Sequence, residues 1–519
     1  MPVVAEIPPC QAFVDQPPVE FNLRLKRRCS LVTLPRELSG YRIEERNIAL
    51  CRLVGRPRRV LDVGCGGGQN GRFARERGAF VSGIELDSEA RARASKLLHE
   101  VLDVDIENDA AVRSGLGDRR YDLMLFGDVL EHTKDPLAVL RRLLPHLEEE
   151  GHVIVSLPNV AAWPVRLGLL GGRFEYTSSG ILDETHLRFF TLASATKLVE
   201  SAGLEVMRLD QNPMLTRAAK NAIVSLLPAH TERALDRDPT ALMRSLPYQA
   251  YMQLLRPLED LAANRAPELL SFQHVILARK PPKPRKLKIT VGMLTMDEEE
   301  SVAAMIHAIK EHAPDAEILC VDSSTRDRTA EIAASLGAKV LRQLPPRGHG
   351  PAMELLMYEA AQRSDALIYL DCDFTYPPEN LRMLRRLLEE DCVDVVNCAR
   401  TRTRPDAMPA PNFLANRLFA GLAHALHGVP TVDVHSGMRA YRSSVIRAFD
   451  FDGEGDALPI DTLLWPAKCG YRVREVAIDY AERVGQSKLR KLAGTAWTFV
   501  RLARTLAVGG RGASRYEVR

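Results

Sequence analysis

Val60-Leu61-Asp62-Val63-Gly64-Cys65-Gly66-Gly67-Gly68 is an apolar run that breaks off on a glycine-rich turn. Such a run suits a strand, and glycines at 64, 66 and 68 let the backbone turn tightly and come close to a ligand. The helix that follows points its N-terminus at the same spot, so the turn predicts a site for a nucleotide-like cofactor at a strand end.

Outward from this stretch, short apolar runs alternate with helical ones from about Tyr41, the sequence form of βαβ units on a parallel sheet. Val60 to Val63, Phe80 to Ile84, Tyr121 to Phe126 and His152 to Leu157 are the clearest expected strands. The pattern turns helical between Pro213 and Pro267, and Leu270 to Ala278 closes the unit as a strand. Lys280-Pro281-Pro282-Lys283-Pro284-Arg285-Lys286 can continue neither helix nor sheet and is the expected linker. The alternation restarts at Leu287, with strands expected over Ile318 to Val321, Ala338 to Leu341, Ala366 to Leu370 and Val393 to Val396. The expected division is a poorly structured leader over 1–40, a domain over 41–279, the linker over 280–286, a second domain over 287–487 and a basic tail over 488–519.

With 519 residues the chain has room for several cores, and 46% apolar with 26% charged residues is a globular composition. A net charge of +3, without one dominant basic block, argues against nucleic acid as a partner. Nine cysteines without a CxxC pair point to a reducing compartment and no structural zinc. No signal-peptide pattern and no long apolar window stand out, so the expectation is a cytoplasmic protein that meets a membrane only from its inner surface.

The cofactor at the first turn has two readings. Gly66, Gly68 and Gly71 satisfy the dinucleotide spacing GxGxxG. Against a dinucleotide, Asp62 places a carboxylate inside the strand, which suits a cationic group and opposes a pyrophosphate, and the register that starts at Gly64 puts Gln69 where the third glycine belongs. A minor alternative has Asp62 capping a neighbouring backbone amide. With these residues the segment from about 41 to 279 resembles class I S-adenosylmethionine-dependent methyltransferases, which have a Rossmann-like fold. The resemblance implies a cofactor site of Asp62, Gly64, Gly66, Gly68, Glu85, Asp105 and Asp128, with Glu85 on the ribose and Asp105 at the adenine. Glu85 also lies close to the spacing of about 20 residues expected of a ribose-binding acid. Asp128-Val129-Leu130-Glu131-His132 looks like the family's substrate-facing segment, and Leu182-Asp183-Glu184-Thr185-His186-Leu187-Arg188-Phe189-Phe190-Thr191 resembles the subgroup that modifies sugars and small metabolites. A hydroxyl acceptor gains from a base, for which His132 stands first and His186 second; the bland reading makes both structural.

In the second half, Asp371 and Asp373 follow an apolar run, and positions i and i+2 of an extended chain share a face, so both carboxylates can address one divalent cation, Mg2+ or Mn2+. Thr295-Met296-Asp297-Glu298-Glu299-Glu300, Cys320-Val321-Asp322-Ser323-Ser324 and Asp433-Val434-His435-Ser436-Gly437-Met438-Arg439-Ala440-Tyr441-Arg442 accompany it. Over about 287 to 490 this resembles family-2 glycosyltransferases of the A-type fold, in the branch that transfers a sugar onto a polyprenyl phosphate. The resemblance implies that Glu298 and Asp322 hold the nucleoside of a GDP- or UDP-sugar and that Asp371 and Asp373 hold the metal.

A phosphate acceptor is already an anion and needs cations to steer it, whereas a glycan hydroxyl needs a base. Arg400, Arg402, Arg404, Arg417, Arg439, Arg483 and Lys488 favour polyprenyl phosphate, with Arg400 and Arg402 nearest the chemistry, and Asp461 is the fallback base for a glycan. From Lys488 to Leu506 the residues Leu489, Leu492, Ala496, Val500 and Ala503 recur at helical spacing beside Lys488, Arg490, Lys491, Arg501 and Arg504. Such a helix can lie on an anionic bilayer or pack on its own protein. The combined expectation is a two-domain α/β chain carrying both transferase activities. The alternatives are a front domain that only binds its cofactor, a front domain that is an NAD oxidoreductase, and a membrane scaffold.

Overall fold

The computed structural model describes residues 47–214, 250–403, 410–481, 491–506, 508 and 515–518. The expected leader, Arg404, Arg483 and Lys488 lie outside them, as do the side chain of Arg402 and most of the helical stretch expected after Pro213.

The first sheet has seven strands, β1 (Arg59–Val63), β2 (Phe80–Ile84), β3 (Glu100–Leu102), β4 (Tyr121–Gly127), β5 (Leu147–Pro158), β6 (Glu205–Pro213) and β7 (Ser271–Arg279). Their spatial order is β3-β2-β1-β4-β5-β7-β6, parallel except for β7, which runs antiparallel to both neighbours. β1 sits between β2 and β4, and Val60, Leu61 and Val63 are fully buried, as a strand covered on both faces requires. Local signals set the helices: Asp87, Asn108 and Asp135 each accept a backbone N–H at a helix start, and Thr191 with Ser194 forms a reciprocal cap.

The second sheet has eight strands, β8 (Ile289–Thr295), β9 (Glu317–Asp322), β10 (Lys339–Arg342), β11 (Ala366–Tyr369), β12 (Val395–Thr403), β13 (Arg439–Arg442), β14 (Val473–Tyr480) and β15 (Tyr516–Val518). The order is β10-β9-β8-β11-β13-β12-β14-β15, with β13 antiparallel to β11 and β12. In both sheets the order reverses beside the first strand of the half, which opens a crevice at the carboxyl ends of the strands.

The segment read as a linker has no helix or strand, but it is tied down. Lys280 Nζ donates to the Leu147 carbonyl at 2.6 Å, and Arg285 reaches both Glu150 and Asp365 at 3.2 Å. Ser39–Arg519 forms one compact unit in which the two sheets share an apolar cluster including Leu53, Val54, Leu123, Leu277, Ile446, Phe449 and Tyr471. Arg279 ends β7 with two bonds of 2.8 Å to Asp394, whose carboxylate is fully buried, and it stacks over the Tyr471 ring at 4.9 Å. His152 Nε2 meets the Tyr471 hydroxyl at 2.8 Å, and burial pushes its pKa down to about 3. Gly55, at φ 63°, lies against the Arg447 carbonyl, where a Cβ would collide with backbone.

The C-terminal helix Lys491–Thr505 packs on the second half, but with Arg501 and not the expected apolar stripe turned inward. Arg501 is fully buried on Asp461 and on the carbonyls of Asp452, Asp456 and Glu454, and Thr498, Leu502 and Thr505 are buried beside it. Ala496, Val500 and Ala503 of the expected apolar stripe face outward, along with Phe499 and Leu506. Among the described residues no helix is long and apolar enough to cross a membrane.

Candidate functional site

At the end of β1 the backbone turns through positive φ at Gly64, Gly66 and Gly68, at 62°, 51° and 83°. Gly64 also needs its missing side chain, because a Cβ there would sit 2.5 Å from Val129 on the facing turn. At Gly66 a Cβ would meet nothing within 4 Å, so this part of the turn is open. Glu85 leaves β2 toward it, half-buried, with Oε2 accepting the Gly66 amide at 2.7 Å and Oε1 the Asp87 amide at 3.0 Å. Asp105 is exposed beyond β3, its Oδ1 accepting the Glu107 amide at 2.9 Å.

Asp62 corrects its expected role. It is turned into the protein, 2% exposed, with Oδ2 on the Gly71 amide at 2.8 Å. Burial pushes its pKa up to about 7, assisted by the charge of Glu85, and the Gly71 bond opposes the shift. Asp62 therefore fixes the first turn of helix Gln69–Glu76 from below, which was the minor reading, and Gly71 is small so that this carboxylate fits. The structure thus brings Gly64, Gly66 and Glu85 together at one turn that is open at Gly66, packs Gly68 against Ala94 and Leu98, and turns Asp62 inward.

The carboxyl end of β4 forms the other wall. Asp128 holds a left-handed backbone at φ 57°, costly for a residue with a Cβ and of the kind that clusters at functional sites. Its two oxygens accept from Ser156 Oγ at 2.9 Å and Gln273 Nε2 at 2.8 Å, and burial raises its pKa. Ser156 in turn receives Asn47 Nδ2 at 2.7 Å, a supporting chain of residues 109 apart in sequence that no local pattern announces. His132 follows on the short helix Leu130–His132 with an exposed ring, and buried His186 approaches it with ring centroids 4.9 Å apart. Phe174, Tyr176 and Phe189 extend this wall, with His186 and Phe189 centroids 6.2 Å apart.

In the second half the loops after β8 and β9 are knitted together. Asp297 Oδ1 accepts the amides of Thr325 and Arg326 at 3.1 and 3.2 Å, and the Glu298 amide donates to Thr329 Oγ1 at 2.8 Å. Asp322, expected to face a nucleoside, is fully buried. It accepts Thr295 Oγ1 and Ser324 Oγ at 2.7 Å each and pairs with Arg342 at 3.2 Å, so it shapes the two loops from beneath. Glu298 is half-buried at the start of helix Glu299–His312.

β11 ends at Tyr369, so Asp371 and Asp373 lie in a turn, and the extended-chain argument for their common face does not apply. Asp373 is 5% exposed and accepts Thr375 Oγ1 at 2.6 Å, which holds the turn. Asp371 is half-buried, takes the Tyr369 hydroxyl at 3.1 Å and lies directly against Gly437, where any Cβ would collide with it. The 433–442 segment thereby reaches the aspartate turn, and the Gly437 amide donates to Tyr376 at 2.5 Å.

The cations expected to steer a phosphate divide. Arg400 is clamped by Asp433 at 2.7 and 2.8 Å and stacks over Tyr480 at 5.5 Å. Burial pushes the Asp433 carboxyl up, but the Arg400 charge and hydrogen bonds outweigh it and hold it below the usual range. Arg417 is exposed on helix Ala410–His427. Arg439 is a correction: it is fully buried on Asn397 Oδ1 at 2.8 Å, the Val434 carbonyl at 2.9 Å and the Pro459 carbonyl, which makes it a brace inside the sheet. Asp461 is another: it is 1% exposed and paired with Arg501, although burial raises its pKa to about 6, so it anchors the C-terminal helix and is closed to an acceptor. Asp433, Tyr376 and Thr295 carry these contacts without having been singled out; for Asp433 the signal was its place at the head of the 433–442 motif.

The glycine turn after β1 and the aspartate pair after β11, one on each sheet, are the two candidate sites. A methyltransferase domain model matches residues 34–209, and a glycosyl transferase family 2 model matches residues 290–449. A dolichyl-phosphate hexose transferase of Haloferax volcanii is 37% identical over 209 residues, 40% of this chain and 89% of that protein. An undecaprenyl-phosphate mannosyltransferase of Micrococcus luteus is 28% identical over 218 residues, 39% of this chain and 88% of that protein. A ubiquinone biosynthesis O-methyltransferase of Ralstonia nicotianae is 32% identical over 171 residues, 31% of this chain and 70% of that protein. The chain belongs to glycosyl transferase family 2 in its second half and carries a methyltransferase domain in its first; it is a methyltransferase and a glycosyltransferase in one polypeptide.

Proposed function

We propose that the first half transfers a methyl group from S-adenosylmethionine to a hydroxyl of a sugar or small metabolite, and that the second half transfers a sugar, with inversion, from a nucleotide-sugar to a polyprenyl phosphate. The first reading is carried by the open turn at Gly66 with the Glu85 carboxylate set beside it, a donor set that fits a ribose diol. S-adenosylmethionine would supply a methyl on a good leaving group, so the protein's task is alignment. Gly64, Gly66 and Gly68 give the backbone clearance, Glu85 receives the ribose hydroxyls, Asp105 reaches the adenine, and the Asp128 to His132 turn meets the acceptor.

The second reading is carried by the Asp371 carboxylate at the Gly437 contact, and it takes support from the relatives named for polyprenyl-phosphate substrates. Asp371 and Asp373 offer carboxylate oxygens, the donor type of Mg2+ or Mn2+, and such an ion would neutralise a diphosphate leaving group. Glu298 lies at the donor side, with Asp322 fixing the loops that carry it. Arg400, held in place by Asp433, and exposed Arg417 stand toward the acceptor phosphate, with Arg402, Arg404, Arg483 and Lys488 proposed on sequence alone. The outward Phe499, Val500 and Leu506, with exposed Phe413, Leu414 and Leu418 on the neighbouring helix, give this half an apolar face suited to peripheral contact with a membrane that holds the lipid.

The test incubates the chain with membrane lipid extract, radiolabelled GDP- or UDP-sugars and, separately, methyl-labelled S-adenosylmethionine. Sugar label in a polyprenyl-phosphate fraction and methyl label in a sugar-containing product are expected. Sugar label only in free glycans overturns the phosphate acceptor, and cofactor binding without methyl transfer overturns catalysis by the first half.

A further inference from the structure

Beside the proposed cofactor turn, Glu131, His132 and His186 come together with one ligand atom of each lying within 4.8 Å of the others. Glu131 is 1% exposed, and neither carboxylate oxygen has a hydrogen-bond partner beyond the residue's own backbone. A buried carboxylate without a partner is expensive unless a cation or a proton completes it. Burial and then the charge of Asp128 push its pKa well up.

The histidines are set up as donors. His132 Nδ1 lies 3.2 Å from both the Thr185 carbonyl and the Thr185 hydroxyl, whose own proton goes to Asp183 Oδ1 at 2.6 Å, and His186 Nδ1 lies 3.1 Å from the Ile181 carbonyl. A carbonyl only accepts, so each Nδ1 carries the proton and each Nε2 keeps its lone pair; this backbone support on the far nitrogen is how metal-bound histidines are usually oriented. The loop that brings His186 is fastened to the same turn, since the amides of Leu187 and Arg188 both donate to the Glu131 carbonyl, at 2.8 and 3.0 Å.

We infer that Glu131, His132 and His186 form a binding site for a divalent transition metal of the zinc type, with coordination positions left open on the exposed His132 side for an acceptor oxygen. Two imidazoles and one carboxylate are a zinc-type donor set, unlike the all-oxygen set of Asp371 and Asp373. Binding rests on these three residues alone; a catalytic role rests on the methyltransferase reading above. In that role the cation lowers the pKa of an acceptor hydroxyl. The O–H bond breaks with its proton going to solvent, the oxygen bonds the methyl carbon, and the donor's S–C bond breaks to leave a neutral thioether. His132 then serves as a ligand, not as a base.

The test uses the full chain carrying Asp371→Ala and Asp373→Ala, titrated with Co2+ and followed by visible absorption and calorimetry, with Zn2+ as competitor. Co2+ uptake with a nitrogen-ligand spectrum, displaced by Zn2+, is expected. Added Glu131→Gln or His186→Gln should weaken it by more than the roughly 10–100-fold that loss of a mere supporting partner costs. S-adenosylmethionine binding, measured in the same samples, should be retained and reports an intact fold. No uptake, or uptake unchanged by both substitutions, overturns the site. Uptake without methyl transfer to any acceptor leaves the site standing and refutes its catalytic role. Methyl transfer unchanged after chelation leaves the methyltransferase reading standing and refutes the metal's part in it.

Discussion

Replacing Arg279 with alanine removes both hydrogen bonds to Asp394, the bond of 3.0 Å to Glu205 and the stacking on Tyr471. Asp394 keeps the Arg472 amide at 2.8 Å but stays a fully buried carboxylate without its counter-charge. Breaking a buried pair from one side costs about 3–5 kcal/mol, a large part of the roughly 5–15 kcal/mol that separates folded from unfolded domains. Because Arg279 belongs to the first sheet and Asp394 precedes β12 of the second, the loss falls on the contact between the halves. Urea unfolding should be followed by S-adenosylmethionine binding for the first half and by near-ultraviolet circular dichroism for the whole chain. Both transitions should move to lower urea together, and the paired change Arg279→Met with Asp394→Leu should recover most of the loss. A shift below about 1 kcal/mol, the range of a surface pair, would refute the argument that this contact holds the halves together.

Other outcomes follow from the same geometry. The folded-state pKa of His152 lies near 3, below an unfolded value near 6.5. Its contribution to stability is therefore complete above pH 6.5 and lost as pH falls toward 3, about 2 kcal/mol by pH 5; unfolding midpoints against pH should show this slope, and His152→Gln should flatten it. Glu85→Ala should weaken S-adenosylmethionine binding roughly 10–100-fold by calorimetry, the worth of a charge-assisted contact, with little change in thermal midpoint. Asp371→Asn should abolish sugar transfer without loss of fold. Asp461→Ala should instead lower stability by about 3–5 kcal/mol by stranding Arg501, and the loss should appear as a fall in thermal midpoint while the intact fraction keeps its sugar-transfer rate.

The first crevice was legible because its signal is local: one strand, one turn and one helix start lie within a few residues, and the glycine conformations follow from the turn. The expected strands overlap β1, β2, β4, β5, β7 and β9 to β12. β13 was not legible, because Arg439 and Arg442 look like surface cations until Asn397, the Val434 carbonyl and Glu150 are brought around them. Asp62, Asp322 and Asp461 carried the right residue type for a ligand contact, and only their tertiary partners show that each is consumed inside the protein. The C-terminal helix had the right periodicity, but which face is buried depends on Asp461, 40 residues away from Arg501.

The close approach of Gly55 to the Arg447 carbonyl has a practical consequence. At Gly55 there is no room for even one methyl, and beside it Arg56 and Arg77 close on Glu354 and Asp450, and Arg447 on Asp122, each pair joining opposite halves. A chimera that grafts either half without these partners should strand those charges, so the two halves are to be engineered as a matched pair.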